Sequence, residues 1–140
     1  MQAIIYYFTG THNTLMVCEK YQEEFAKKGV QCILHPVNQL ANIPDPTKFD
    51  LVGFAYPIHG FNAPYIVYRF VRRLPKVKDK DYFIVKTSGE PVAMNNASSI
   101  HLVKKLKKKG FSRLTNEYHY VMPYNMIFRH TDEQAQKMWH

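Results

Sequence analysis

Six residues near the start of the chain, Ala3 to Phe8, are apolar without interruption, the pattern of a strand covered on both faces rather than one with a wet side. The run breaks at Thr9 to Thr14. From Asn13 to Lys28 the apolar positions take a helical period: Leu15, Cys18, Tyr21 and Phe25 share one stripe, and Gly29 is placed for a left-handed stop. A doubly buried strand leading through a short polar loop into a helix is the opening unit of a parallel sheet.

The unit then repeats. Val30 to Val37 reads as a second strand, followed by a Pro- and Asn-containing connection to Phe49, and Leu51 to Tyr56 reads as a third. Pro64 stands at an expected first helical position, with Ile66, Val67, Phe70, Val71 and Leu74 forming a stripe that ends at Pro75. Tyr82 to Lys86 predicts a fourth strand, Ser98 to Lys109 a helix closed by Gly110, and Arg113 to Met122 a fifth strand. Five strands alternating with helices predict an α/β fold, an open, doubly wound, mostly parallel sheet with helices on both faces. The 140 residues suit one domain. Thr131 to His140 begins like a further helix, with Thr131 as N-cap, Asp132 and Glu133 in the first turn and Gln134 completing a capping box. It carries no stop signal, so a last helix that is short, or truncated in a protein that continues, is expected.

Composition narrows the function classes. With 46% apolar and 21% charged residues the chain can build a core. Cys18 and Cys32 are its only cysteines, too few for a disulfide scaffold or an internal iron-sulfur cluster, and no metal site is expected. No apolar run approaches the ~20 residues of a membrane span, and no leader pattern opens the chain; a cytoplasmic protein without membrane contact is expected. Nineteen Lys and Arg against eleven Asp and Glu leave +8, a field that attracts acidic or phosphate-rich partners.

Ligands of such sheets sit beyond the carboxyl ends of the strands, where strand order reverses. Three segments qualify: Thr9 to Thr14, Pro57 to Ala63 and Thr87 to Asn96. The first, within YYFTGTHNT, is the most informative. Its threonines, Asn13 and backbone N–H groups all donate to phosphate oxygens, at a helix start whose dipole favours an anion. It contains no Lys or Arg, no Gly-Lys-Ser/Thr of a P-loop and no dinucleotide G-x-G-x-x-G, a donor set suited to a phosphate monoester. Helix capping alone would also place Thr and Asn here, but one such residue suffices for a cap.

TGTHNT resembles the T-G-x-x-T phosphate fingerprint of the flavodoxin superfamily. The stretches IIYYFTGTHNT, AYPIHGFNAP, KTSGEP with NNASS, and EYHYVMPYNMIFRH are similar to the flavodoxin-like half of the flavodoxin-ferredoxin fusion proteins of the EFR family. This resemblance spans essentially the whole chain. It implies a flavodoxin-like sheet of order 2-1-3-4-5, one FMN-binding domain over residues 1–140 with no ferredoxin domain in this chain, and electron transfer through the isoalloxazine ring. It assigns Thr9, Thr11, Asn13 and Thr14 to the FMN phosphate, with Gly10 and His12 giving backbone N–H groups. Pro57, Ile58, His59, Gly60, Phe61, Asn62 and Ala63 would lie against one face of the ring, Gly60 allowing a peptide beside the flavin to turn. Thr87, Ser88, Gly89, Glu90, Asn95 and Asn96 would bind the pyrimidine edge and the ribityl hydroxyls. No residue is assigned a catalytic role.

The chain departs from the flavodoxin pattern in two ways. Its only Trp is Trp139, and the third loop offers Pro91 and Met94 but no aromatic to cover the second ring face; it is also basic where flavodoxins are commonly acidic. His59 and Glu90 read equally as solvated loop residues. Lys104, Lys105, Lys107, Lys108 and Lys109 surround Val103 and Leu106 on the third helix, either as a solvated face or as a docking patch for an acidic redox partner such as a ferredoxin or an iron-sulfur domain. Two other functions remain open: a flavin-dependent NAD(P)H or quinone-type reductase, and a basic, non-enzymatic binding module. Nucleic acid is not an expected partner, since no recognised module is present.

Overall fold

A computed structural model describes residues 1–10, 12–59, 62–88 and 99–121. The elements run β1 (Gln2–Tyr7), α1 (Asn13–Lys27), β2 (Gln31–Pro36), β3 (Leu51–Pro57), α2 (Tyr65–Arg73), β4 (Lys80–Ser88), α3 (Ile100–Lys108) and β5 (Phe111–Val121). All five strands are parallel neighbours in the order β2-β1-β3-β4-β5. This is the doubly wound flavodoxin-like sheet. The expected final helix over Thr131 to His140 lies outside the described residues.

Strand periodicity divides the core into two layers. Ile4, Tyr6, Phe54, Tyr56, Tyr82 and Ile84 face Val67, Phe70 and Val71 of α2 and Leu102 and Leu106 of α3. Ala3, Ile5, Ala55, Phe83 and Val85 face Val17 and Cys18 of α1. α1 thus covers one face of the sheet, while α2 and α3 cover the other. On α1 the buried stripe runs through Thr14, Val17 and Cys18, while Leu15, Tyr21 and Phe25 are only half-buried. The Tyr21 hydroxyl meets that of Tyr120 on β5 at 2.7 Å, tying helix to edge strand.

No α-helix joins β2 to β3. The connection folds back under the α2 side, placing Val37 and Phe49 in the core, with one 3-10 turn at Pro46–Lys48 whose Asp45 side chain accepts from Thr47 N. Tyr6 Oη donates to Pro44 O at 2.6 Å and anchors it. Pro64 proves to be the N-cap of α2 in an extended conformation rather than its first helical residue, because the next peptide is where α geometry begins.

At the amino edge of the sheet the exits of α2 and α3 are joined. Lys109 Nζ donates to Arg72 O at 3.0 Å and Leu74 O at 2.7 Å, satisfying carbonyls at the end of α2. Val77 N bonds Lys109 O at 2.7 Å. Gly110 turns the chain into β5 at φ 100°, and a Cβ there would stand 1.7 Å from Val77 O. Gly110→Ala is therefore expected to destabilise by more than about 2 kcal/mol, through positive φ and backbone overlap together. A lowered urea midpoint would show it; an unchanged one would mean that the turn relaxes freely.

Candidate functional site

Strand order reverses between β1 and β3, so their carboxyl ends feed loops toward opposite faces and leave a crevice between them. The roots of three loops are joined there. Phe8 N bonds Ala55 O at 3.0 Å, and Ile58 N bonds Thr87 O at 2.9 Å. Beneath them the Thr14 and Thr87 hydroxyls share a buried 2.8 Å hydrogen bond, linking the first turn of α1 to the end of β4.

The first loop makes its tight turn at His12, the N-cap of α1, which takes the left-handed conformation at φ 73°. Gly10 does not: its φ is not positive, and among the described residues an added Cβ would meet nothing closer than the Phe8 ring at 4.0 Å. Among the described residues no side-chain hydrogen bond caps α1, and its first turn holds no acidic residue. Thr9 Oγ1 reaches Leu15 N only at 3.5 Å, the outer limit of a hydrogen bond. Thr9 and Asn13 are half-buried, Gly10 and His12 exposed, and Thr14 buried; Thr11 lies outside the described residues.

In the second loop, His59 and Asn62 pair in antiparallel fashion, with N···O distances of 2.7 and 2.9 Å. Gly60 and Phe61, between them, lie outside the described residues. Asn62 Oδ1 accepts from Ala63 N at 3.1 Å and from Tyr68 Oη at 2.5 Å, so this side chain fixes the entry to α2. His59 is exposed and meets the Phe8 ring edge to face at 6.3 Å, bringing the first and second loops together. Pro57 and Ile58 are half-buried and Ala63 is buried. In the third loop Thr87 is buried and Ser88 half-buried; Gly89, Glu90, Asn95 and Asn96 lie outside the described residues.

A polar cluster that the sequence reading missed lies on the α3 side of the same edge. Lys86, only 2% exposed, pairs with Glu117 on β5, which also accepts from Ser99 Oγ at 2.6 Å. Two residues further along, His119 Nε2 meets Ser88 Oγ at 2.7 Å. His119 Nδ1 and Tyr56 Oη are buried without a hydrogen-bond partner among the described residues. Burial and the Lys86 charge hold the His119 imidazole below its usual range, against the pull of Glu117. The available signal was a lysine inside the apolar run FIVKTS; its partner depends on the β4–β5 register, which composition does not specify.

Among the described residues no group of three His, Cys, Asp or Glu could hold a metal ion, and no helix is long and apolar enough to cross a membrane. Of the basic patch expected on α3, Lys104, Lys105, Lys107 and Lys108 are exposed. Lys109 is instead engaged with the carbonyls at the end of α2.

Lys86→Met is expected to destabilise by roughly 1–3 kcal/mol, because it strands a carboxylate that retains some contact with water. Lys86→Met with Glu117→Leu should recover most of that loss in urea unfolding; a double variant no better than the single one would count against the pair. For His119 the depressed folded value makes the neutral ring the form that folding favours. Its contribution is complete above the unfolded value, about 6.5, and is lost as pH falls through that value toward the folded one. Between about pH 7 and about pH 5 the urea midpoint should fall less in His119→Gln than in the wild type. Parallel slopes would remove His119 as the source.

Solved structures with this architecture resemble the chain at low identity. A flavodoxin from the domain Archaea matches with a TM-score of 0.63 and 14% identity, over 99% of this chain and 91% of that one. An NAD(P)H:quinone oxidoreductase from Methanothermobacter marburgensis matches at 0.67 and 13%, over 99% and 92%. General stress protein 14 from Treponema denticola, solved in complex with FMN, matches at 0.64 and 12%, over 99% and 91%. No protein-family model and no curated protein matches the sequence. The likeness is one of architecture, and the chain has the flavodoxin-like fold.

Proposed function

We propose that this chain is an FMN-binding electron-transfer flavoprotein, a single flavodoxin-like domain that holds the FMN phosphate in the loop Thr9 to Thr14. The observation that carries the reading is the start of α1. This helix end opens on the β1/β3 crevice beside Thr9 and Asn13, with no side-chain cap among the described residues and no acidic first turn, and Thr11 precedes it in the sequence. A helix N-terminus with neutral donors fits a phosphate monoester, and the positive end of the dipole adds to the attraction. The FMN complex of a protein with the same fold and the resemblance to the flavin half of the EFR-type fusion proteins support the same assignment.

Within this reading the residues divide by task. Thr9, Thr11 and Asn13 donate to the phosphate, with backbone N–H groups of Gly10 and His12, while Thr14, expected in the same set, has its hydroxyl bonded to Thr87 and serves as the base of the loop. The buried Thr14–Thr87 bond keeps the phosphate loop and the third loop at a fixed separation. The His59–Asn62 pairing presents the second loop to one face of the ring, and the third loop, including Gly89, Glu90, Asn95 and Asn96, meets the pyrimidine edge and the ribityl chain. FMN, when bound, supplies one- and two-electron exchange, while the protein supplies position and electrostatics. The electron partner is an acidic redox protein such as a ferredoxin or an iron-sulfur domain, and the setting is cytoplasmic. The fold shared with an NAD(P)H:quinone oxidoreductase favours a second reading, in which the isolated protein itself turns over a quinone-type acceptor.

Titration of the folded protein with FMN and riboflavin tests the site. FMN should bind more tightly, and Thr9→Val with Thr11→Val should weaken FMN by about tenfold or more while leaving riboflavin unchanged, as loss of hydrogen bonds to a charged group requires. Equal affinity for the two flavins, or no binding of either, would overturn the reading. Steady NAD(P)H- or quinone-coupled turnover by the FMN-loaded protein would select the reductase over the carrier.

A further inference from the structure

The charge of this molecule is sorted by face. α2 (YIVYRFVRR) and α3 (IHLVKKLKK) contain no acidic residue, whereas α1 carries three Glu against two Lys. The two basic helices lie side by side on one face of the sheet, run in the same direction and are bolted together at their ends by Lys109. Arg69 and Arg73 on α2, with Lys104, Lys105, Lys107 and Lys108 on α3, are all exposed. Arg72 is also exposed but is held by the Tyr65 ring and hydroxyl. Cations in a last helical turn are expected from the dipole, but that effect does not explain Arg69 and Lys104, the absence of any acid, or the alignment of two such helices.

The position of these cations matters as much as their sign. Ser99 already lies level with Glu117, which pairs with Ile84, well below the end of β4 at Ser88. Counting strand and helix rise from there places Lys104 to Lys108 about 15–25 Å from the carboxyl edge. That exceeds the screening length of roughly 8 Å at physiological salt, so these charges act on what docks beside them and little on the crevice.

We propose that the outer face of α2 and α3 is a docking surface for an acidic protein, engaged toward the amino edge of the sheet while the carboxyl edge stays open. The surface favours carboxylates over the other polyanions. Most of its cations are Lys rather than the Arg that grips phosphates in a bidentate fork. Among the described residues, the large exposed apolar side chains on these helices, Tyr65 and Ile100, stand at their amino ends, and the Tyr65 ring is already engaged by Arg72, leaving little beside the cations to stack on bases or enter a bilayer. The Lys109 bridge fixes the spacing of the two rows of charge before anything binds, which reduces the ordering that association requires. The inference does not depend on flavin binding.

Anisotropy titration of the full chain with a labelled oligo-glutamate peptide, at about 50 and about 150 mM salt, tests it. Duplex DNA and phosphatidylserine vesicles serve as competing probes. Lys104→Glu, Lys107→Glu and Lys108→Glu together should weaken the peptide by about tenfold or more, whereas Lys20→Glu and Lys27→Glu on α1 with Lys28→Glu at its C-cap, with the same change in net charge, should change it by less than about twofold. Circular dichroism checks that both variants fold, and FMN titration should give the same result for both as for the wild type. Equal losses in the two variants would show that net charge alone is responsible and overturn the proposal. So would tighter binding of DNA or vesicles than of the peptide at the higher salt.

Discussion

A lysine in the apolar middle of a parallel sheet is tolerable only with a counter-charge and further hydrogen bonds, and Lys86 dictates much of what surrounds it. Its ammonium group meets Glu117 across the β4–β5 ladder, and Glu117 in turn takes the Ser99 hydroxyl at the start of α3. The pair therefore fixes three things together: the register of the edge strand, the height at which α3 begins and the depth of the polar layer under the carboxyl edge. A pair of this kind adds little net stability compared with apolar packing of the same volume. What it does is penalise alternatives, since a register slip by one residue would turn Glu117 to the other face.

The carboxyl edge extends this logic through smaller contacts. The Thr14–Thr87 bond, the Phe8 and Ile58 amides and the Phe8–His59 ring contact hold three loop roots together. The dipole of α1 therefore acts at the crevice above the Lys86–Glu117 pair, whose two charges offset each other. The positive charge that dominates the composition is concentrated on the other two helices, with much of it toward the opposite edge of the sheet. The carboxyl edge and the two cationic helices thus present separate surfaces of different charge.

Most of the architecture was legible in the residues. The continuous apolar run at Ala3 to Phe8 and the switch to helical period after Asn13 specify a doubly covered strand and its crossover, and repetition of that unit specifies the parallel sheet. The polar loop after β1 was legible for the same reason, as a cluster of Thr and Asn where strand gives way to helix. Contacts set by register rather than by local pattern were not. Lys86 with Glu117, Ser88 with His119 and Tyr21 with Tyr120 each join residues 31 or more positions apart, and nothing local to either partner names the other. Lys109 shows a related limit: it reads as one more surface lysine of the run, and only the packing of α2 beside α3 reveals it as a bridge.

The loop before α1 separates two demands that usually coincide. In many tight turns a glycine is required by the backbone itself, so its replacement damages the fold and the site together. Here the left-handed residue is His12, while Gly10 keeps a φ that is not positive and, among the described residues, meets nothing that would bar a side chain. A substitution at position 10 therefore changes the surface of the crevice while leaving the φ of the turn to His12, whereas one at position 12 disturbs both.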